Sequence, residues 1–233
     1  MEVYISINGV LRNLIQKFEY HYQNNFLDPD VEIEVDEGEL PFEYKITTPV
    51  KNDDLLNYYT FESKEEYNNF LYVDYPLEIF GHAGISYMSV MSDLNTLIYN
   101  NPETNFTVVG IDEFGKAKSS TLFFLSKYSY LGNNVKFITT QGIKKEWKKC
   151  DLWITDNKDI IDLCPKNKQA VKYVTEYNDF FTHNIEIKNL TTCLNSWENT
   201  TTSTWTKLLR FAVPPLRKKQ NKMMMITEKN KSN

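Results

Sequence analysis

The chain is poor in the residues that punctuate, cross-link or rigidify a backbone. Glycine and proline number only 8 each in 233 residues, which excludes collagen-like repeats and low-complexity linkers. The few glycines make no G-x-G-x-x-G, Walker or G-x-S-x-G pattern, so the common phosphate-cradling and nucleophile-elbow motifs are missing. Cysteine occurs three times, at Cys150, Cys164 and Cys193. The count is odd and the spacing fits no zinc or redox motif, so reduced thiols in a cytosolic compartment are expected, with no disulfide framework and no metal site. The Asn-x-Thr sequons at Asn105, Asn189 and Asn199 carry no weight on that reading. No apolar run approaches the roughly 18 residues of a membrane helix, so no contact with a membrane is expected. The opening MEVYISINGV has no basic stretch ahead of an apolar one and no small-residue cleavage site. A signal peptide is therefore not expected. No internal repeat is visible.

What is present suits a globular chain: 41% hydrophobic and 14% aromatic residues. Arginine is scarce, 3 against 23 lysines, in a chain rich in Asn, Tyr, Phe and Ile. That bias accompanies AT-rich coding and says nothing about chemistry. The net charge of −5 hides an asymmetry, because residues 217–233 carry +5 and the rest of the chain −10. The stretch 28–66 holds thirteen acidic residues against Lys45, Lys51 and Lys64. Such a stretch is ordinarily a solvated face. The alternative is that it meets the basic tail of another copy, or that the tail docks on an acidic or phosphate-bearing partner.

Periodicity organises the middle of the chain. Val3–Ile7 is a short β-branched run bounded by Asn8-Gly9 and reads as a buried strand. From Val10 the apolar positions Leu11, Leu14, Ile15, Phe18 and Tyr22 recur at helical spacing, predicting a helix to about Asn25. Residues 28–60 are acidic and Pro-punctuated, with one alternating strand at Val31–Val35. Helices are expected over 64–71 and 85–99. Phe106–Ile111, Val135–Ile138, Asp151–Asp156 and Ala170–Val174 read as further strands. Between them lie an amphipathic helix over 116–130, through Leu122, Leu125 and Tyr128, and a shorter one over 143–149. Strand–helix alternation argues for an α/β fold, a parallel sheet with helices on both faces. The domain plan is a core of residues 1–25 plus 100–181, an inserted acidic cap over 26–99, and a C-terminal arm over 182–233. Ligands of such sheets sit beyond the carboxyl ends of the strands. The candidate site is therefore Ser6 to Asn8, Asp112, Thr139 to Gly142, and Thr155 to Asp159.

Ser6-Ile7-Asn8-Gly9-Val10-Leu11-Arg12, the strand Val108–Asp112, Lys144 or Lys145 ahead of Cys150, and Ile154-Thr155-Asp156 through Asp159 follow one another in a telling order. In that order they resemble the motifs of the haloacid dehalogenase (HAD) superfamily of phosphatases, especially its deoxynucleotidase-like members. The likeness covers about 3–16 and 100–175. It implies a HAD-like Rossmannoid sheet with a cap and, in active members, an Asp nucleophile, a second Asp as general acid and a carboxylate-held Mg²⁺. This chain departs where the chemistry resides. Ser6 stands in place of the nucleophile with no adjacent base, since His21, His82 and His183 fall outside the motifs. Asn8 has no titrating proton to pass, and Thr155 replaces a carboxylate. Mg²⁺ gives up water reluctantly, and few carboxylates remain to replace it. The resemblance thus implies a fold kept without the activity: no catalytic residue, no cofactor, and a vestigial pocket of Ser6, Asn8, Asp112, Lys144 and Asp156. Each also reads as ordinary strand-end polarity satisfying turn backbone, as His82 does in Gly81-His82-Ala83-Gly84.

The C-terminal arm departs from that family. A helix is expected over 189–197, followed by a polar spacer and an apolar turn through Trp205, Leu208, Leu209 and Phe211, stopped by Pro214-Pro215. Basic Arg217, Lys218, Lys219 and Lys222 precede Met223, Met224 and Met225, an adaptable apolar run suited to a partner's groove or to strand addition. Partner binding is expected at Trp205, Leu208, Arg217 to Lys219 and Lys222 to Met225. Basic residues without interleaved aromatics argue against nucleic acid, as does the acidic body. Together these features favour a non-enzymatic assembly protein, homo-oligomeric and ring-forming. A narrower likeness, to ring-forming tail proteins of crAss-like phages, implies a virion component whose partners are its own copies and other tail proteins. The alternatives are a divergent Mg²⁺-dependent phosphatase or 5′-nucleotidase-like hydrolase, and a pseudoenzyme that senses a nucleotide or phosphate through the strand-end turns and Lys144.

Overall fold

Val3, Tyr4 and Ile5 are buried on both sides of the chain, the mark of a central parallel strand covered on two faces. In the computed structural model, which describes residues 1–27, 48–51 and 54–190, they belong to β1 (Glu2–Ser6). β1 pairs in parallel with both β4 (Asn105–Ile111) and β6 (Leu152–Thr155), so that Val3 lies between Phe106 and Leu152. β5 (Val135–Ile138) extends the sheet beyond β4, and β7 (Gln169–Tyr173) and β8 (Glu186–Ile187) beyond β6. The order is β5-β4-β1-β6-β7-β8, parallel throughout. This is a Rossmann-like α/β fold. The chain winds outward from β1 on one side, then crosses back to build the other, and the crossing falls between β1 and β6.

Strand alternation splits the core in two. Val3, Ile5, Val108, Leu152 and Ile154 point to one face and meet α3 (Val90–Tyr99) and α4 (Lys118–Lys127) through Leu94, Leu97, Phe124 and Leu125. Tyr4, Val109 and Trp153 point to the other, against α5 (Ile143–Trp147) and α6 (Lys158–Asp162). On that second face Glu146 is buried and accepts from the Tyr4 hydroxyl, Lys136 and Lys149. Burial alone would raise its pKa; these bonds outweigh it and bring the carboxyl down to about 2. A third, aromatic cluster joins α1 (Ile15–His21) and α2 (Lys64–Asn69) to the turns that follow them, centred on Phe18, Tyr22, Tyr59 and Phe70. Both helices continue into π-helical turns, Tyr22–Phe26 and Phe70–Asp74, and another such turn spans Leu77–Gly81.

The segment between β1 and β4, expected as a cap, is divided in its packing: α3 joins the main core, whereas α2 and the π-helical turns join the aromatic cluster. Three expectations are corrected. The first helix begins at Ile15, not Val10, because Leu11 and Arg12 donate back to the carbonyl of Ile7 and β2 (Arg12–Asn13) pairs antiparallel with β3 (Gly84–Ile85). That pairing also moves the start of α3 from 85 to Val90. In α4 the buried stripe is Ser120, Thr121, Phe124 and Leu125; Leu122 stands exposed, one position off it. The predicted strand Val31–Val35 lies outside the described residues. So do most of the predicted helix 189–197 and the arm residues Trp205, Leu208, Arg217, Lys218, Lys219, Lys222 and Met223 to Met225. Among the described residues no helix is long and apolar enough to cross a membrane.

Candidate functional site

The crevice at the switch point opens beyond the carboxyl ends of β1 and β6, which deliver Ser6 and Thr155 side by side. The Ser6 hydroxyl donates to Thr155 Oγ1 at 2.8 Å and accepts from the indole Nε1 of Trp153 at 3.1 Å. Thr155 Oγ1 in turn accepts from the backbone N–H of Asn157 at 3.2 Å. Ser6 is only 6% exposed and Thr155 is buried. The one proton of Ser6 is thus spent on a neutral hydroxyl. A nucleophilic Ser needs a base in that position.

Two residues on, Asn8 enters a turn whose Gly9 has φ +76°. The Asn8 side-chain oxygen Oδ1 accepts from both Nε and Nη2 of Arg12. Arg12 Nη1 donates to the carbonyl of Phe80 at 2.6 Å and to Thr121 Oγ1 at 3.1 Å. The guanidinium lies 5.2 Å from the ring centroids of both Phe80 and Phe124. It is 2% exposed, and none of the ion pairs among the described residues includes it. Burial among neutral partners lowers its pKa to about 9. A cation so desolvated persists only because its planar fork is filled with acceptors. Arg12 has the largest structural part in the turn, and the resemblance gave it none. The available signal was the Asn8-to-Arg12 spacing in a chain with only three arginines.

A cavity of about 290 Å³ lies between the sheet ends and the aromatic cluster. Ser6, Asn8, Asp156 and Asn157 line it, as do Glu113 and Thr140 from the ends of β4 and β5. Its roof is Phe18, Tyr67, Leu71, Tyr72, Ile79 and Phe80. The Asp156 carboxylate sits against Gly9: a Cβ there would fall 1.8 Å from Oδ2. Glu113 Oε1 accepts from the Thr140 backbone N–H at 2.6 Å and from its hydroxyl. Burial, followed by the nearby carboxylates of Asp112 and Glu113, raises the Tyr72 hydroxyl to about 12.

The remaining predicted residues are not in this cavity. Asp112 is buried and accepts from the backbone N–H groups of Lys116 and Ala117, which commits its carboxylate to the start of α4. Lys144 is exposed on α5 and contributes nothing to the lining. Asp159 is exposed on α6, and His82 lies 5.2 Å from the ring of Phe123, also off the lining. Of the expected pocket, Ser6, Asn8 and Asp156 line this cavity, together with Asn157, Glu113 and Thr140. These residues do not suit the Mg²⁺ that the resemblance implies. Among the described residues no three His, Cys, Asp or Glu side chains come together to hold a metal ion.

A scan of the chain against protein-family models finds no match, and no curated protein matches it.

Proposed function

We propose that this chain is a non-enzymatic assembly protein built on a HAD-like core whose catalytic positions have been turned to structural use. The observation that carries the reading is the fate of the strand-end polar groups. The Ser6 hydroxyl is bonded to Thr155 and Trp153, Asn8 Oδ1 to Arg12, and the Asp112 carboxylate to the N–H groups of Lys116 and Ala117 just ahead of α4. Groups so engaged stabilise the fold, and a transition state would have to break those bonds before using them. A phosphatase on this scaffold would need Ser6 as nucleophile or water activated by Asp156, and the Ser6 proton already goes to a neutral hydroxyl in place of a base.

An assembly role has support elsewhere on the molecule. Met88, Tyr99 and Leu131 are 92%, 85% and 74% exposed. Asn95 bonds to the backbone of Ser129 and Leu131, which fastens that turn to α3 beside Tyr99, one helical turn on. Large apolar side chains exposed in this way suit contact between copies. The acidic stretch 28–66 and the basic 217–233 provide opposite charges for head-to-tail association, which closes into rings when the rotation allows. The narrower proposal is a ring component of a phage tail, located in the virion and bound to other tail proteins. Native mass spectrometry of the full chain tests the reading. A discrete multimer, alone or with a virion partner, and its loss on Tyr99→Ser with Leu131→Ser, are expected. A strict monomer that binds no virion component overturns it.

A further inference from the structure

Four basic side chains from three elements converge beside the π-helical turn Leu77–Gly81, and none of them lines the sheet-end cavity. The turn packs along α4 and against α1. On α1, Lys17 and His21 stand one helical turn apart. His82 follows the Leu77–Gly81 turn, and Lys127 ends α4, one helical turn beyond Phe123. The His82 ring lies 5.2 Å from that of Phe123, and His21 stacks at 5.2 Å on Tyr75, just ahead of the turn.

These groups oppose one another's charge. Burial, then Lys127 and Lys17, lowers the His82 pKa, with Glu78 acting the other way. Burial, then Lys17 and His82, brings His21 down to about 4, and burial followed by Lys127 lowers Lys17. An anion placed among such groups relieves the repulsion and favours their protonated forms. His82 and Lys127 are exposed, and none of the ion pairs among the described residues includes either. Lys17 adds its charge from α1, its ammonium 5.6 Å from the centre of the Tyr20 ring. Beneath them His21 is only 8% exposed, and its buried Nδ1 has no hydrogen-bond partner. A polar atom buried in that way is costly unless a further group completes it.

Leu77 and Phe123 stand exposed beside the bases. They meet over Gly81, where a Cβ would lie 2.7 Å from Leu77 Cδ1 and 3.2 Å from Phe123 Cδ1. The surface thus offers point charges for an oxyanion and an apolar pair for whatever carries it. Several bases around one position favour a dianion over a monoanion, which selects phosphate over carboxylate.

We infer that the surface between Lys17, His82 and Lys127 binds a phosphate monoester, its phosphate held by the bases and its apolar or aromatic body laid against Leu77 and Phe123. The inference does not rest on the assembly reading. A monomeric chain would still bind the ester, and a multimer that bound none would sink this inference alone.

The test is isothermal titration calorimetry of the full chain with phenyl phosphate, inorganic phosphate, benzoate and benzyl alcohol. Phenyl phosphate should bind about tenfold tighter than inorganic phosphate, which lacks the apolar body. Benzoate should be weaker than phenyl phosphate, and benzyl alcohol weakest. Lys127→Met and His82→Gln, both on exposed side chains, should each weaken phenyl phosphate about threefold or more without moving the melting temperature. Proton NMR of the three histidines locates the ligand: saturating phenyl phosphate should raise the pKa of His82 and leave that of His183 unchanged. Phenyl phosphate binding no tighter than benzyl alcohol or inorganic phosphate would overturn the proposal. So would an affinity that survives both substitutions, or binding that leaves the His82 titration unmoved.

Discussion

Arg12→Met is expected to lower the unfolding free energy by about 3 kcal/mol, read as a fall in the urea midpoint at unchanged slope. The substitution keeps an unbranched side chain of similar length between the rings of Phe80 and Phe124, so lost packing is a small part of the cost. What it removes are the donors to Asn8 Oδ1, the Phe80 backbone carbonyl and Thr121 Oγ1. Leaving buried acceptors unpaired costs on the order of 1 kcal/mol or more apiece. Relief of the desolvated charge offsets part of this, which is why the expected loss is not larger. Arg12→Lys should cost about as much, because one ammonium cannot reproduce a planar fork with several partners. A loss below about 1 kcal/mol for Arg12→Met would show that the guanidinium does not organise the turn.

Gly9→Ala is the second large effect, with an expected loss of about 2 kcal/mol. Its φ of +76° is one a residue with a Cβ adopts at a cost, and the added methyl would meet the Asp156 carboxylate. Asp156 can swing aside, so strain and a displaced carboxylate are expected rather than failure to fold. The two contributions separate in a double-mutant cycle. In an Asp156→Ala background the contact disappears and Gly9→Ala should cost only the backbone strain, about 1 kcal/mol. Additive costs would mean that Asp156 does not press on Gly9.

Arg12 and Gly9 also show how far the sequence could be read. The parallel sheet was visible because Val3–Ile7, Phe106–Ile111 and Leu152–Ile154 are apolar runs separated by helical periods, and strand ends are where a ligand site must lie. That reasoning brings together Ser6, Asn8 and Asp156, which do line one cavity. It failed for Asp112, because a carboxylate ahead of a helix serves the helix's own N–H groups as readily as a ligand. It failed for Lys144 because an α5 residue close to a strand end in sequence can still face solvent. The roof was illegible for a different reason. Tyr67 to Phe80 passes through two π-helical turns, which break the 3.6-residue rhythm that periodicity depends on. The two-residue strands β2, β3 and β8 are too short to alternate. The first of them is what cut the predicted helix back to Ile15.

The central claim is that the strand-end polar groups have been diverted from phosphoryl transfer to holding the fold. Its most direct test is Mg²⁺-dependent hydrolysis of a broad panel of phosphomonoesters and nucleotides, with the wild type measured beside Asp156→Ala. The account predicts no turnover by the wild type above the variant's background for any member of the panel. Turnover that the wild type shows and Asp156→Ala loses would contradict it, and would make this chain a phosphatase that works without the usual carboxylate pair.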